Sequence, residues 1–209
     1  MADAATTSGW TPRGPWADIL PAGQLGASGK PGIAIAPRER LGIASLIVSD
    51  GGHAALAQAV SSRFGLELPL TPRAVWSASH AVVWAGPGQW MLVAERRLGL
   101  ADDLQSLSDV AAVADQSDGR AALRLSGPSV RSALAKGCML DLHPRAFPTG
   151  AAALTQIGHV GVHFWRGADA PDGSVFEIMV ARSMAGSFWS WLSASVAEFG
   201  CAVAAPGPS

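Results

Sequence analysis

Apolar positions along this chain recur with two different periods. Leu41-Gly42-Ile43-Ala44-Ser45-Leu46-Ile47-Val48 is an apolar run of strand length, as expected for a strand buried on both faces. Asp50 to His53 turns the chain and offers cap residues. From His53 to Phe64 the period changes. Leu56, Ala59, Val60 and Phe64 fall on one helical face, with Gly65 as its stop. Ser79–Gly86 and Gln89–Ala94 flank Gly86-Pro87-Gly88 and predict a hairpin. Leu98–Leu107 has helical spacing, and Val110–Asp115 returns as a strand.

The second half repeats this order. Arg120–Ser126 predicts a strand. Pro128–Lys136 predicts a helix, with Pro in its first turn and Gly137 at its end. Thr155–Arg166 and Val175–Arg182 predict a hairpin, and Ala185–Phe199 a closing helix ended by Gly200. On that helix Phe188, Trp191, Leu192, Ser195, Val196 and Phe199 share one face, with Trp189 at its edge. The expected architecture is one α+β domain over 39–200. It consists of two related β-α-β-β-α units, 39–115 and 116–200, each a split β-α-β of the ferredoxin-like kind. Residues 1–38 are rich in Gly, Pro and Ala and show no periodicity, which predicts an irregular arm. Residues 201–209 are expected to be a tail. Trp10 and Trp16 are costly residues for a free arm. They predict anchors on the domain itself or on a neighbouring subunit, and Trp189 is a third candidate contact.

Composition narrows the function. Charged residues make up 15% of the 209, against roughly 25% in an average soluble domain. Two readings stay open: a surface partly covered by a partner, or the Gly- and Ala-rich usage of a high-GC genome. Net charge is −1 and Lys occurs only at Lys30 and Lys136, so the basic stripe that nucleic acid requires is missing. No apolar run approaches membrane-spanning length. Met1–Trp10 has neither a basic nor an apolar signal region. The two cysteines, Cys138 and Cys201, fit no metal spacing and predict reduced thiols in a cytoplasmic protein.

Candidate chemistry is thin, and neither a catalytic residue nor a metal ligand is predicted. His159 and His163 are four apart. On the strand expected there, that spacing puts them about 13 Å from each other, too far for one metal. Asp141 and His143 predict local capping in a turn. Ser126-Gly127-Pro128-Ser129 lacks the Gly-x-Ser-x-Gly pattern of a nucleophile turn. No glycine-rich phosphate loop precedes a helix.

One long stretch carries a resemblance. Asp115–Pro148, with its core R-A-A-L-R-L-S-G-P-S-V-R-S-A-L-A-K-G-C-M-L-D-L-H-P-R-A-F-P, resembles the gamma subunit of heterotetrameric sarcosine oxidase. The likeness continues through T-Q-I-G-H-V-G-V-H-F-W-R, F-E-I-M-V-A-R-S-M-A-G-S-F-W-S-W-L and, upstream, W-A-G-P-G-Q-W-M-L-V-A, covering roughly Leu41 to Gly200. That family is similar in fold to the folate-binding domain of the glycine-cleavage aminomethyltransferase. Members of that fold often carry an acidic residue where Val162 and His163 stand. The resemblance therefore implies a non-catalytic subunit, with alpha, beta and delta subunits as partners. FAD, FMN, NAD and tetrahydrofolate are expected in those larger partners and none in this chain. The complex would demethylate sarcosine to glycine, forming hydrogen peroxide and methylenetetrahydrofolate. The alternative is a free-standing folate-binding protein of the aminomethyltransferase type, for which Arg166 and Arg182 are the candidate ligands.

Overall fold

A computed structural model of the chain describes residues 13–205. Two strands, β1 (Gly23–Leu25) and β2 (Ile33–Pro37), come first. The first half then runs β3 (Gly42–Ile47), α1 (His53–Phe64), β4 (Ala74–Trp76), β5 (His80–Gly86), β6 (Gln89–Ala94), α2 (Leu100–Leu107) and β7 (Ala112–Asp115). The second runs β8 (Arg120–Gly127), α3 (Val130–Ala135), β9 (Ala152–Ile157), β10 (Val160–Arg166), β11 (Ser174–Ala181) and α4 (Ala185–Val196), and β12 (Cys201–Val203) follows and inserts between β1 and β2. No helix among the described residues is long and apolar enough to cross a membrane.

The repeat is visible in the sheets. One has five strands in the order β4-β5-β6-β3-β7, the other seven in the order β1-β12-β2-β8-β11-β10-β9. Within them β4-β5-β6-β3 and β9-β10-β11-β8 are the same arrangement built twice. Each unit has one strand more than the hydrophobic pattern predicts, and the extra strand, β4 or β9, holds the same place in both. β9 was expected to continue into β10. Instead Gly158 and His159 both adopt positive φ, 57° and 66°. Ile157 then pairs with Val160 across a two-residue turn, the conformation that suits a tight hairpin. His159 therefore sits in a turn and shares no strand face with His163. A Cβ on Gly158 would also lie 2.3 Å from Trp191 Cγ, so the residue that permits the turn also seats the indole of α4.

Alternation along the strands sorts the core into three layers. Leu123, Leu125, Phe164, Phe176 and Ile178 face α3 and α4, where they meet Leu134, Phe188 and Leu192. Ala44, Leu46, Val82 and Leu92 face α1 and α2, where they meet Leu56, Val60 and Leu107. The opposite faces of the two sheets meet each other through Ile43, Val83, Met91 and Val93 on one side and Ala122, Trp165 and Met179 on the other. The order is helices, sheet, sheet, helices.

The expectation of an irregular arm is corrected. Ile33 and Ile35 point into the core and β2 pairs with β8, while Cys201–Val203 of the expected tail pairs in parallel with β2. Trp16 is fully buried and its Nε1 donates to Ala122 O at 2.9 Å. It is thus an anchor on its own domain and no free contact for a partner. Trp10 lies outside the described residues. The arm's role yields a prediction. Trp16→Ala should lower unfolding free energy by about 3–5 kcal/mol, the usual cost of emptying a large aromatic site. Urea denaturation measures it, and a loss below about 1 kcal/mol, as at a surface position, would show that the arm is not integral.

Candidate functional site

At one end the two sheets splay apart into a cleft of about 540 Å³. Its charged lining comes from both sheets. Arg38, just past β2, donates from Nη2 to Glu95 Oε1 and Oε2 at 2.6 and 2.7 Å, and Glu95 follows β6. Arg124 on β8 and Glu177 on β11 are register partners and form a hydrogen-bonded ion pair. Arg38 Nε lies 3.5 Å from Glu177 Oε2 and joins the two pairs. Burial pushes the Glu177 carboxyl above its usual range, while Arg124 and Arg38 pull it back. Trp76 stands at the mouth, and Trp165 forms part of the wall.

A buried carboxyl with a raised pKa in a cleft is the most enzyme-like feature of the chain. Its surroundings are those of a structural network. Both Glu177 oxygens face guanidinium groups, and the remaining carboxylate of the set, Glu95, takes both its bonds from Arg38. Arg38 Nε is buried and makes no hydrogen bond, only the 3.5 Å ion-pair approach to Glu177. The other charged groups of the set satisfy one another, which is the condition for withdrawing charges from water.

A second group, which reaches the cleft wall through His80, has the order of a hydrolase triad. His80 Nε2 donates to Asp103 Oδ2 at 3.0 Å, and its Nδ1 is 3.0 Å from Ser79 Oγ. Two observations assign it to structure. The Asp103 carboxylate also holds Arg63 Nε and Nη2 at 3.2 and 3.0 Å, tying α1 to α2. The N–H groups of Ser79 and His80, which a nucleophile there would need for an oxyanion hole, both point to Ser77 Oγ.

The thiols, Asp141 and His163 also serve local structure. Burial pushes Cys201 up to about 11 and Cys138 upward as well, so neither is a thiolate near neutrality. Asp141 Oδ1 accepts from His143 N at 2.8 Å, a local turn. His163 bridges the sheets. Its ring is 3.0 Å from Trp84 O, and because a carbonyl only accepts, Nε2 carries the proton. Burial, and then the Arg120 charge, hold it down at about 4 against the pull of that bond. Among the described residues no group of three His, Cys, Asp or Glu side chains is placed to hold a metal.

Arg166 and Arg182 do not form a joint ligand. Arg166 is buried, with Nη2 on Asp169 at 2.7 and 2.8 Å and Nη1 on Phe147 O at 3.3 Å. Arg182 is exposed and donates to Arg13 O at 3.0 Å. Val162 pairs with Val180, so the two arginines sit at opposite ends of the β10–β11 ladder, roughly 20 Å apart at the usual strand rise. Neither lines the cleft. Trp189 is half-buried against the core. The residues that do build the cleft, Arg38, Glu95, Arg124 and Glu177, went unmarked in the sequence. Only the Arg124–Glu177 pair had a readable signal, opposite charges on adjacent strands, and it needs the register to be seen.

A model of the sarcosine oxidase gamma subunit family matches residues 48–198. The chain belongs to that family. It is 34% identical to the sarcosine oxidase subunit gamma of Corynebacterium sp. (strain U-96) over 72% of both chains. It is 36% identical to that of an Arthrobacter species over 57% of this chain and 59% of the relative. A chain of the heterotetrameric sarcosine oxidase from Corynebacterium sp. U-96, solved in complex with pyrrole 2-carboxylate, superposes with a TM-score of 0.76. The identity is 29%, covering 90% of this chain and 96% of that one. The glycine cleavage system aminomethyltransferase T from Bartonella henselae superposes at 0.59 with 13% identity, over 84% of this chain and 48% of that one. The expected α+β, aminomethyltransferase-like fold is therefore present, and this chain spans about half of that enzyme.

His163 generates the prediction for this site. From about pH 6.5 down to about pH 4 the unfolded chain takes up a proton that the folded chain refuses, so stability is lost as pH falls. A depression of this size corresponds to on the order of 3 kcal/mol. His163→Gln keeps a donor for Trp84 O and cannot titrate. Urea midpoints at neutral and acid pH should show the natural chain losing more stability than the variant by about that amount. Parallel losses would place the proton elsewhere.

Proposed function

We propose that this chain is the non-catalytic gamma subunit of a cytoplasmic sarcosine oxidase and supports assembly of that complex. The partners are its alpha, beta and delta subunits. The complex oxidatively demethylates sarcosine to glycine, yielding hydrogen peroxide and methylenetetrahydrofolate. FAD, FMN, NAD and tetrahydrofolate bind in the other subunits. Family membership supports the assignment to the complex. The observation that carries the non-catalytic role is the cleft, whose charged groups are engaged with each other. Buried reduced thiols fit a reducing compartment. Of the two candidate tryptophans among the described residues, Trp16 is buried, and Trp189, half-exposed on α4, remains a contact candidate.

Co-expression of the alpha, beta and delta chains with and without this one tests the reading. With it, one stoichiometric complex should elute and turn over sarcosine. Without it, the other chains should aggregate or elute as subcomplexes. The purified chain should bring down no flavin, and tetrahydrofolate should leave its tryptophan fluorescence unquenched. Full assembly and activity in its absence would overturn the proposal, and saturable quenching would favour the folate-binding alternative.

A further inference from the structure

Two arginines share a corner where α3 meets the end of β10. The Arg131 guanidinium lies 6.0 Å over the Phe176 ring, and Phe176 is the register partner of Arg166. Arg166 spends Nη1 on Phe147 O and Nη2 on Asp169, but its Nε is buried with no hydrogen-bond partner among the described residues. Arg131 is less provided for. Its Nε and Nη2 are both buried with no hydrogen-bond partner among the described residues.

The identity of those two atoms matters. Nε and Nη2 lie on one edge of the guanidinium, and their N–H bonds run parallel at the spacing of two carboxylate oxygens. A guanidinium does not escape burial by losing its proton, as a lysine does. The face of Phe176 attracts the cation but gives this edge no acceptor. Burial and the neighbouring Arg166 charge both press on Arg131, and Asp169 offsets only part of this. Arg131, Arg166 and Asp169 together leave one positive charge unbalanced.

We propose that Arg131, backed by Arg166, forms a site for a single carboxylate, received side-on by Arg131 Nε and Nη2. Arg131 as a whole is half-buried, so a turn of its side chain presents that edge to an incoming group. Two sources offer the same chemistry: a small free carboxylate, or an acidic side chain of a partner subunit. The second rests on the assembly reading above.

The experiment follows the Arg131 Nε–H resonance by NMR in the full-length chain, assigned with Arg131→Lys. Sodium acetate is titrated against sodium chloride at matched ionic strength. A saturable shift with acetate alone identifies a site open to free carboxylates. If acetate is silent, the partner source predicts that Arg131→Lys, which keeps the charge and loses the fork, weakens co-purification with the other subunits roughly tenfold or more. Silence towards acetate together with natural-level assembly of the lysine variant overturns the site. If the natural chain itself fails to assemble, the assembly reading falls and the acetate titration alone decides. That titration needs no variant to fold, and thermal melting of Arg131→Lys separates a lost site from a lost fold.

Discussion

Each half of this chain makes a sheet with two apolar faces and helices for only one of them. α1 and α2 cover one side of the five-stranded sheet, and α3 and α4 cover one side of the seven-stranded sheet. The uncovered faces carry Ile43, Val83, Met91 and Val93 on one sheet and Ala122, Trp165 and Met179 on the other. Neither half can hide those side chains alone, and hydrophobic burial is the main force available to fold it. The halves must therefore close on each other. The backbone follows the same closure: Ala74 N donates to Gly150 O and Ala152 N to Pro72 O, which stitches β4 to the start of β9.

That closure decides where polar chemistry can sit. Twisted sheets cannot stay in contact over their whole area, and one splayed end becomes the cleft. Charged groups there are partly withdrawn from water, so each is costly unless paired. Arg38, Glu95, Arg124 and Glu177 meet the cost by bonding across the gap between β2, β6, β8 and β11. In this chain the groups that would grip a ligand there already grip each other. The arm adds to this. Two of its strands and the last strand of the chain widen only the second sheet, which makes the duplicated units unequal and supplies Arg38 to the cleft.

What could be read from the chain follows from what each element needs. β3, β5, β6, β8, β10 and β11 have long apolar runs because both faces are buried, and long runs are legible. β4, at three residues, is too short to show a period. β9 has one exposed face and joins β10 through Gly158-His159, a turn without the usual Asn-Gly signal, so the two merged into one predicted strand. Ile33-Ala34-Ile35-Ala36 does alternate, but prolines on both sides disguised it as arm. The cleft was hidden for a different reason. The four charged residues of its ion-pair network are separated by 57 residues from Arg38 to Glu95 and by 53 from Arg124 to Glu177, and only the folded register brings them together. The family likeness was legible throughout, because it rests on collinear motifs and not on contacts.

Glu177, the most enzyme-like group in this chain, serves structure. The most direct test of that role is sarcosine turnover per assembled complex when Arg124→Met and Glu177→Leu are introduced together. Glu177 is buried and Arg124 is exposed, and removing both together leaves neither charge without its partner, so the cost to folding should be small. The double variant should assemble, and each assembled complex should turn over at the natural rate. A complex that assembles in full and yet loses turnover would contradict that role and make Glu177 part of the chemistry.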